Sequence, residues 1–292
     1  MTISYKVQKS DISIKQILKE KFDMSENLII KLKKNKRIVL NSNIVYINQN
    51  ISEGDLLSID LDFEETSDNI VSNKAIQFNI LFEDESMLIV EKDASLPVHP
   101  SILHFEDSLS NGIRYYFDIN NIKRKIRPVN RLDKDTSGIV IFAKNEYIQE
   151  CLIKQMKTNV FKKYYIAIID GILSKKEGTI DAKIARKEGS IIERCIDNEK
   201  GVTSITHYRV LEENKSKNLS KVEFILETGR THQIRVHSKY IGHPIIGDFL
   251  YGKRDENLNR HLLHSYKIEF IHPITKEKMV IKSKLPNEFN IL

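Results

Sequence analysis

The chain joins a charged loop directly to an apolar run in the stretch Arg127-Pro-Val-Asn-Arg-Leu-Asp-Lys-Asp-Thr-Ser-Gly-Ile-Val-Ile-Phe-Ala-Lys144. The second half, Gly138 to Ala143, is short, apolar and rich in β-branched residues, and this pattern predicts a buried strand. Charged side chains at the mouth of a core element are costly unless they are paired or used. Arg131 and Asp133 therefore indicate either a catalytic carboxylate beside a cation or a structural ion pair that fixes a loop.

The segment Arg131-Leu-Asp-x-x-Thr-Ser-Gly138 resembles the signature of the RluA-type RNA pseudouridine synthases. Two later stretches agree with this resemblance. Lys163-Tyr-Tyr-Ile-Ala167 is similar to the family's Lys-x-Tyr-x-Ala segment, and Glu227-Thr-Gly-Arg-Thr-His-Gln-Ile-Arg-Val-His237 is similar to its third motif. The motifs follow the family's order within residues 76–289. The resemblance implies isomerisation of uridine to pseudouridine in structured RNA, with ribosomal RNA as the substrate and without a cofactor or a metal.

The resemblance also assigns four site residues. Asp133 matches the family's catalytic aspartate, and a carboxylate is a suitable nucleophile at a glycosidic carbon. Arg235 matches the arginine of the third motif, which pairs with that aspartate. Tyr165 matches the active-site tyrosine, whose ring packs on the target uracil and whose hydroxyl can accept or relay a proton. Arg131 matches the arginine that fills the space left by the flipped nucleotide, which compensates for lost base stacking.

Other functions are compatible with parts of the same pattern. A non-catalytic RNA-binding or ribosome-assembly factor could keep the fold, but it would not need the aspartate, tyrosine and arginine together. Asp135 lies two residues from Asp133, so two carboxylates facing one side would suggest a glycoside hydrolase. The histidines between residues 232 and 264 lack the spacing of metal ligands on one helical face. The sequence therefore predicts no metal site.

Composition favours a polyanionic partner. The chain has 292 residues, a net charge of +6 and a pI near 9.0, and such a charge suits RNA. No apolar run is long enough to cross a membrane, and no apolar segment follows Met1 to indicate a secretory signal. Cys151 and Cys195 lack metal-ligand spacing and are expected to be reduced thiols. We therefore expect a cytoplasmic monomer without membrane contact.

The sequence pattern of residues 1–62 predicts a small unit of two helices and short strands. Ser10-Asp11 can cap a first helix, and Ser25 can cap a second helix that ends in the basic run Lys31–Arg37. Strands are predicted at 38–40, 44–47 and 56–59. This order is similar to an S4-type RNA-binding domain. The chain departs from that domain at Glu26, where an arginine is usual, and at Ser42, where the hairpin usually has glycine, so RNA binding by this unit stays open.

Residues 63–75 are polar and unpatterned and predict a linker, so we expect the units on either side to fold independently. The resemblance implies that residues 76–292 form the pseudouridine synthase catalytic domain. Helices are expected at 107–117, 145–156 and 230–240, and strands at 80–82, 87–90, 138–143, 164–169, 179–185, 203–211, 222–226, 262–270 and 278–282. Hairpin connections between short strands predict an α+β fold, with a large, mostly antiparallel mixed sheet flanked by helices after the S4-like α/β unit.

Overall fold

The computed structural model describes residues 1–10, 12–62, 69–253 and 258–291. Within these residues the elements are, in chain order, β1 Thr2–Lys6, β2 Ile12–Ser13, α1 Ile14–Glu20, α2 Glu26–Lys34, β3 Ile38–Leu40, β4 Asn43–Ile44, β5 Asn50–Ile51, β6 Leu56–Asp60, β7 Asn79–Glu83, β8 Met87–Lys92, α3 Leu109–Ile119, β9 Ser137–Ala143, α4 Glu146–Lys157, β10 Lys162–Asp170, β11 Glu177–Asp181, β12 Ile184–Arg186, β13 Arg194–Ile196, β14 Ile205–Asn214, β15 Leu219–Leu226, α5 Gln233–Tyr240, β16 Leu263–Ile271, β17 Lys278–Lys282 and a 3-10 helix at Asn287–Phe289.

The large sheet has the order β11-β14-β15-β10-β16-β9-β8-β7, with β17 also paired to β16. Its strands pair antiparallel except for β16 and β9, which run parallel. The predicted α+β class with a mostly antiparallel mixed sheet is therefore confirmed. The carboxyl-terminal half of β16 pairs with β17, whereas its amino-terminal half pairs with β9. Strand β9 thus lies in the middle of the sheet, and all of its residues are buried.

Strand β9 separates two apolar cores. Ile139 and Ile141 belong to one buried cluster, and Val140 and Phe142 belong to the other, because successive side chains of a strand point to opposite faces. Gly138, at the start of this strand, has a φ of +118°, and a Cβ there would lie 2.3 Å from the carbonyl oxygen of Ser265. Only glycine permits this approach of β9 to β16, and it places the charged loop before β9 against the sheet.

The amino-terminal unit contains a second sheet with the order β1-β6-β3-β4. The sequence-based cap at Ser10-Asp11 is wrong, because α1 begins after Ser13. The Ser13 hydroxyl accepts a hydrogen bond from the Gln16 amide at 3.2 Å, and the Gln16 side chain accepts one from the Ser13 amide at 3.0 Å. This capping box satisfies donors that Ser10 does not reach. The predicted cap at Ser25 is confirmed, and Asp11 lies outside the described residues.

Other predicted elements also differ in their bounds, such as the strand expected at 44–47, which is observed at Asn43–Ile44. The single strand expected at 179–185 is two short strands, because β11 pairs with β14 whereas β12 turns away and pairs with β13. The helix expected from Arg230 begins at Gln233, after His232 adopts a left-handed backbone with a φ of +59°. The residues before α5 consequently form a loop instead of a helical turn.

Within the predicted linker 63–75, residues 63–68 lie outside the described residues. Residues 69–75 form no helix or strand and lie along α3. The Asn73 amide donates to the Asn111 carbonyl at 3.1 Å, and the Asn111 side chain donates to the Val71 carbonyl at 2.8 Å. The domain boundaries at 62 and 76 stay a prediction.

The amino-terminal unit packs against α4 of the catalytic unit. One buried apolar cluster contains residues of both units, including Leu28 and Ile29 from α2 and Ile148 and Leu152 from α4. Polar contacts cross the same boundary: the Ser25 amide donates to Glu150 Oε2 at 3.1 Å, Lys31 pairs with Glu146 at 2.6 Å, and Lys154 pairs with Asp23 at 2.7 Å. These contacts argue against the expectation that the units fold independently, because separating them would expose part of a shared core.

Deleting residues 1–62 is therefore expected to lower the unfolding temperature of the remaining chain by about 5–10 °C, since a few kcal/mol shift a domain of this size by that amount. Differential scanning calorimetry of the full chain and the fragment measures the difference. Lys31→Ala, which removes one inter-unit ion pair, should produce a small fraction of the shift, and Lys34→Ala on the exposed side of α2 should produce none. Equal unfolding temperatures for the full chain and the fragment would instead support the prediction that the two units fold independently.

Candidate active site

A cavity of about 610 Å³ opens where the loop before β9 meets β10 and the loop before α5. All four residues predicted from the sequence line it: Arg131, Asp133, Tyr165 and Arg235. Asp133 is the acidic residue among the described residues that line this cavity, and Asp135 is not part of the lining. The fold therefore brings together side chains that lie up to 104 positions apart in the sequence.

Arg235 links two carboxylates at the base of the cavity. Its Nη1 donates to Asp133 Oδ2 at 3.2 Å, so the ion pair predicted from the sequence is present. Its Nε and Nη2 donate to the two oxygens of Asp248 at 2.7 and 2.8 Å, which is a bidentate contact. Asp248 is fully buried and also accepts hydrogen bonds from the amides of Leu250 and Tyr251. Asp248 consequently fixes the guanidinium in the orientation that meets Asp133.

The charges of this network stabilise one another. Burial alone would raise the pKa of the Asp248 carboxyl, but hydrogen bonds from Arg235 outweigh burial and hold that pKa below its usual value. Burial alone would lower the pKa of Arg235, yet hydrogen bonds and charge from Asp248, together with Asp133, raise it. Arg235 is therefore a permanent cation beside Asp133. Sequence reasoning did not assign a role to Asp248, although it follows a glycine closely after the third motif.

Three buried side chains hold the loop that carries Asp133. Lys92 is fully buried, and its Nζ donates to the carbonyls of Asp93, Leu96 and Lys134 at 2.8, 2.7 and 2.9 Å. Arg260 donates to the Asp135 carbonyl at 3.1 Å, and His261 Nε2 lies 2.7 Å from Thr136 Oγ1. Burial lowers the pKa of Lys92 to about 7 and the pKa of His261 to about 3. The loop is thus fixed from both sides by contacts distant in sequence.

His232 lies directly beside the carboxylate. Its Nε2 is 3.8 Å from Asp133 Oδ2, and its Nδ1 is 2.8 Å from the Tyr251 hydroxyl. Burial lowers the pKa of His232, so the imidazole is neutral at neutral pH. The left-handed backbone of His232 is uncommon for residues other than glycine, although histidine adopts it more often than most residues. Sequence reasoning gave His232 no part in the site, whereas the structure places it in the lining of the cavity.

Tyr165 and Arg131 differ in exposure. Tyr165 is buried in the wall of the cavity, and burial raises the pKa of its hydroxyl, so the residue is a phenol and not a phenolate at neutral pH. Arg131 is exposed at the rim. These positions suit an aromatic contact inside the cavity and a cation at its entrance.

The remaining histidines of this region make hydrogen bonds to the protein. His237 lies 2.9 Å from Thr206 Oγ1 and 2.9 Å from the Ala182 carbonyl, and His264 lies 2.8 Å from Ser137 Oγ. In the described ranges, which omit residues 11, 63–68, 254–257 and 292, no group of three or more His, Cys, Asp or Glu side chains could hold a metal ion.

Comparison with known proteins agrees with this site. Residues 86–240 match the family described as "RNA pseudouridylate synthase". The "Uncharacterized RNA pseudouridine synthase YhcT" of Bacillus subtilis is 38% identical over 276 residues, which cover 94% of this chain and 90% of that protein. The chain belongs to the RNA pseudouridylate synthase family. It is of the RluA type, and the members of this family are isomerases.

Two further comparisons bear on the substrate and the fold of this pseudouridylate synthase. The "Ribosomal large subunit pseudouridine synthase D" of Pseudomonas aeruginosa is 37% identical over 229 residues, which cover 73% of this chain and 70% of that protein. The solved structure titled "Human RNA Pseudouridylate Synthase Domain Containing 1" superposes with a TM-score of 0.60 and 26% identity, covering 71% of this chain and 83% of that one. RNA is therefore the substrate class. Across the described residues, no helix is both long and apolar enough to span a bilayer.

Proposed function

We propose that this pseudouridine synthase isomerises a specific uridine of ribosomal RNA, with Asp133 as its nucleophile. The observation that carries the proposal is the ion pair from Arg235 to Asp133 at 3.2 Å, inside a cavity that also holds Tyr165. A cation held by a second, buried carboxylate pairs with Asp133 and orients its carboxylate. The ribosomal substrate is supported by the likeness to a large-subunit enzyme and by the net charge of +6.

The chemistry needs one carboxylate and no redox partner. The N1–C1′ bond of uridine breaks, uracil rotates, and a C5–C1′ bond forms, while a proton leaves C5 and N1 ends protonated. The Asp133 carboxylate serves either by attacking C1′ and leaving again when C5 attacks, or by removing the C2′ proton to leave a glycal and returning that proton to C2′ when the C5–C1′ bond forms. Tyr165 packs against the uracil ring during rotation, and its protonated hydroxyl can donate a hydrogen bond. Arg131 at the rim occupies the position left by the extruded base.

Two competing functions explain the site less well. A non-catalytic RNA-binding factor would gain nothing from an arginine held between two carboxylates at the base of a cavity. A glycoside hydrolase would need a second carboxylate placed for acid catalysis, and Asp135 does not line the cavity among the described residues. RNA binding by the amino-terminal unit, and the expectation of a cytoplasmic monomer, stay predictions.

Pseudouridine mapping tests the proposal directly. We expect total RNA from a strain without this protein to lack pseudouridine at one or a few ribosomal positions that carry it in the parent strain. The wild-type gene should restore them, whereas a gene encoding Arg131→Ala should restore them only in part, because base extrusion loses its compensating cation. Identical pseudouridine maps with and without the protein would contradict the proposed function.

A further inference from the structure

Lys163 is a lysine inside the cavity to which the mechanism above gives no task. It lies on β10 two residues before Tyr165, so both side chains point to the same face of the strand. Its pairing with Leu226 on β15 also places it on that face, and its side chain lines the cavity. In the part of the chain that the structure describes, the Lys163 ammonium has no hydrogen-bond or ion-pair partner.

The cavity wall next to the Lys163 ammonium is formed by Gly229, which has no side chain. A Cβ added at Gly229 would lie 2.9 Å from Lys163 Nζ, which is closer than real Cβ contacts. The Lys163 ammonium therefore lies directly against the backbone of Gly229. Arg230, the next residue, directs its Nε to the Thr203 carbonyl at 3.2 Å and its amide to Gln233. Lys163, Gly229 and Arg230 thus line the same part of the cavity.

The Lys163 side chain is partly buried and has no counter-charge nearby. Partial burial lowers the pKa of Lys163, and no neighbouring charge opposes that shift. The acidic group of the cavity lining, Asp133, is already bound to Arg235. An anionic group of a ligand that enters the cavity can therefore pair with this ammonium.

We propose that Lys163 binds the phosphate adjacent to the target uridine and thereby positions the flipped nucleotide for Asp133. This inference rests on the proposed function, because it takes RNA as the ligand. Lysine binds phosphate as a compact point charge. Residues i and i+2 of a strand are separated by about 7 Å, so Lys163 and Tyr165 suit the phosphate and the base of one nucleotide. Lys163 is therefore a positioning residue that acts through substrate binding.

The salt dependence of RNA binding tests whether the positive charge of Lys163 contacts a phosphate. The probe is an oligoribonucleotide that carries the uridine mapped in the deletion strain. Lys163→Met keeps the aliphatic stem but removes the charge, and it should reduce the slope of log Kd against log salt by about 0.7–0.9, the value for one neutralised phosphate. Lys163→Arg should keep most of the slope. The matched control is Lys162→Met, since Lys162 is exposed and points to the other face of β10.

Kinetic measurements, and an RNA probe with one uncharged linkage in its backbone, identify the phosphate that Lys163 binds. Lys163→Met should raise KM roughly five- to tenfold at 0.1 M salt, and it should also lower kcat, because the nucleotide is held less firmly against Asp133. A methylphosphonate, which has no charge, placed on the 5′ or the 3′ side of the target uridine should weaken wild-type binding at one of the two positions. At that position it should have no further effect on Lys163→Met, because the two changes remove the same interaction.

The outcomes separate this inference from the proposed function. If the wild-type protein forms no pseudouridine in any ribosomal RNA, the proposed function fails before Lys163 is tested. Suppose instead that the wild-type protein is active. If the loss of binding caused by the methylphosphonate then adds to the loss caused by Lys163→Met at both positions, Lys163 contacts neither adjacent phosphate. An equal slope change for Lys162→Met and Lys163→Met would show a general charge effect and would also overturn the inference. Circular dichroism confirms that each variant is folded.

Discussion

Asp133→Asn is expected to abolish pseudouridine formation, with kcat lowered about 10⁴-fold or more, as for other removed nucleophiles. Asparagine has nearly the same shape but cannot attack a glycosidic carbon or remove a proton as a carboxylate does. The variant should fold normally. Arg235 keeps its bidentate contact with Asp248, so the buried cation stays paired when Asp133 loses its charge.

The control is a carboxylate in the same loop. Asp135→Asn removes a charge two residues away that lies outside the cavity lining, and it should change kcat less than about threefold, because charges outside the site act weakly. Single-turnover assays on RNA from the deletion strain measure the chemical step, and urea unfolding measures stability. A near-normal chemical step in folded Asp133→Asn, or an equal loss in Asp135→Asn, would refute the assignment of the nucleophile.

Local sequence was sufficient for elements whose signals are themselves local. The run from Gly138 to Ala143 predicts β9 because its residues are apolar on both faces, as a central strand requires. Asn145 predicts the start of α4 because its side chain reaches the Ile148 amide at 3.0 Å, three residues away. Strand β17 was predicted with the observed bounds because a turn directly precedes it.

Other elements depend on partners distant in the sequence. Strand β1 escaped prediction because it is ordered by pairing with β6, and the paired residues lie 50 to 58 positions apart in the sequence. The start of α5 was misplaced because the residues before it form the wall of the cavity, where a left-handed His232 replaces a helical turn. Tertiary contact overrides local propensity at such positions.

The candidate site also combines residues that the local sequence predicts with contacts that depend on distant parts of the chain. Its four predicted residues follow from motifs that the chain carries intact. The contacts of Asp248, Lys92 and Arg260 have no local signature, because each depends on a backbone or carboxylate that only the folded chain brings near. Sequence thus indicates which groups react, whereas the structure shows what holds those groups in place.

Removal of Arg235 should damage stability as well as catalysis. Arg235→Met leaves the fully buried Asp248 carboxylate without its bidentate partner, and breaking a buried pair on one side costs about 3–5 kcal/mol. Pseudouridine formation should fall by at least about 10²-fold, because Asp133 loses its oriented cation. Arg235→Lys should recover part of both losses, since lysine carries the charge but cannot form the two-pronged contact.

The pH dependence of stability identifies Asp248 as the source of that loss. In the wild-type protein the pKa of Asp248 lies below its ordinary 3.8, so its contribution is complete above that pH and is lost only under stronger acid. In Arg235→Met, burial without a partner raises the pKa of Asp248, so the native state binds a proton more readily than the unfolded chain. The free energy of unfolding of this variant should therefore increase as the pH falls from 7 towards 4.

Urea titrations at several pH values measure this free energy. The double variant Arg235→Met with Asp248→Asn should recover stability at pH 7, and its free energy of unfolding should no longer increase as the pH falls. A variant whose stability falls with acid as the wild-type does would mean that Asp248 does not depend on Arg235 for its charge.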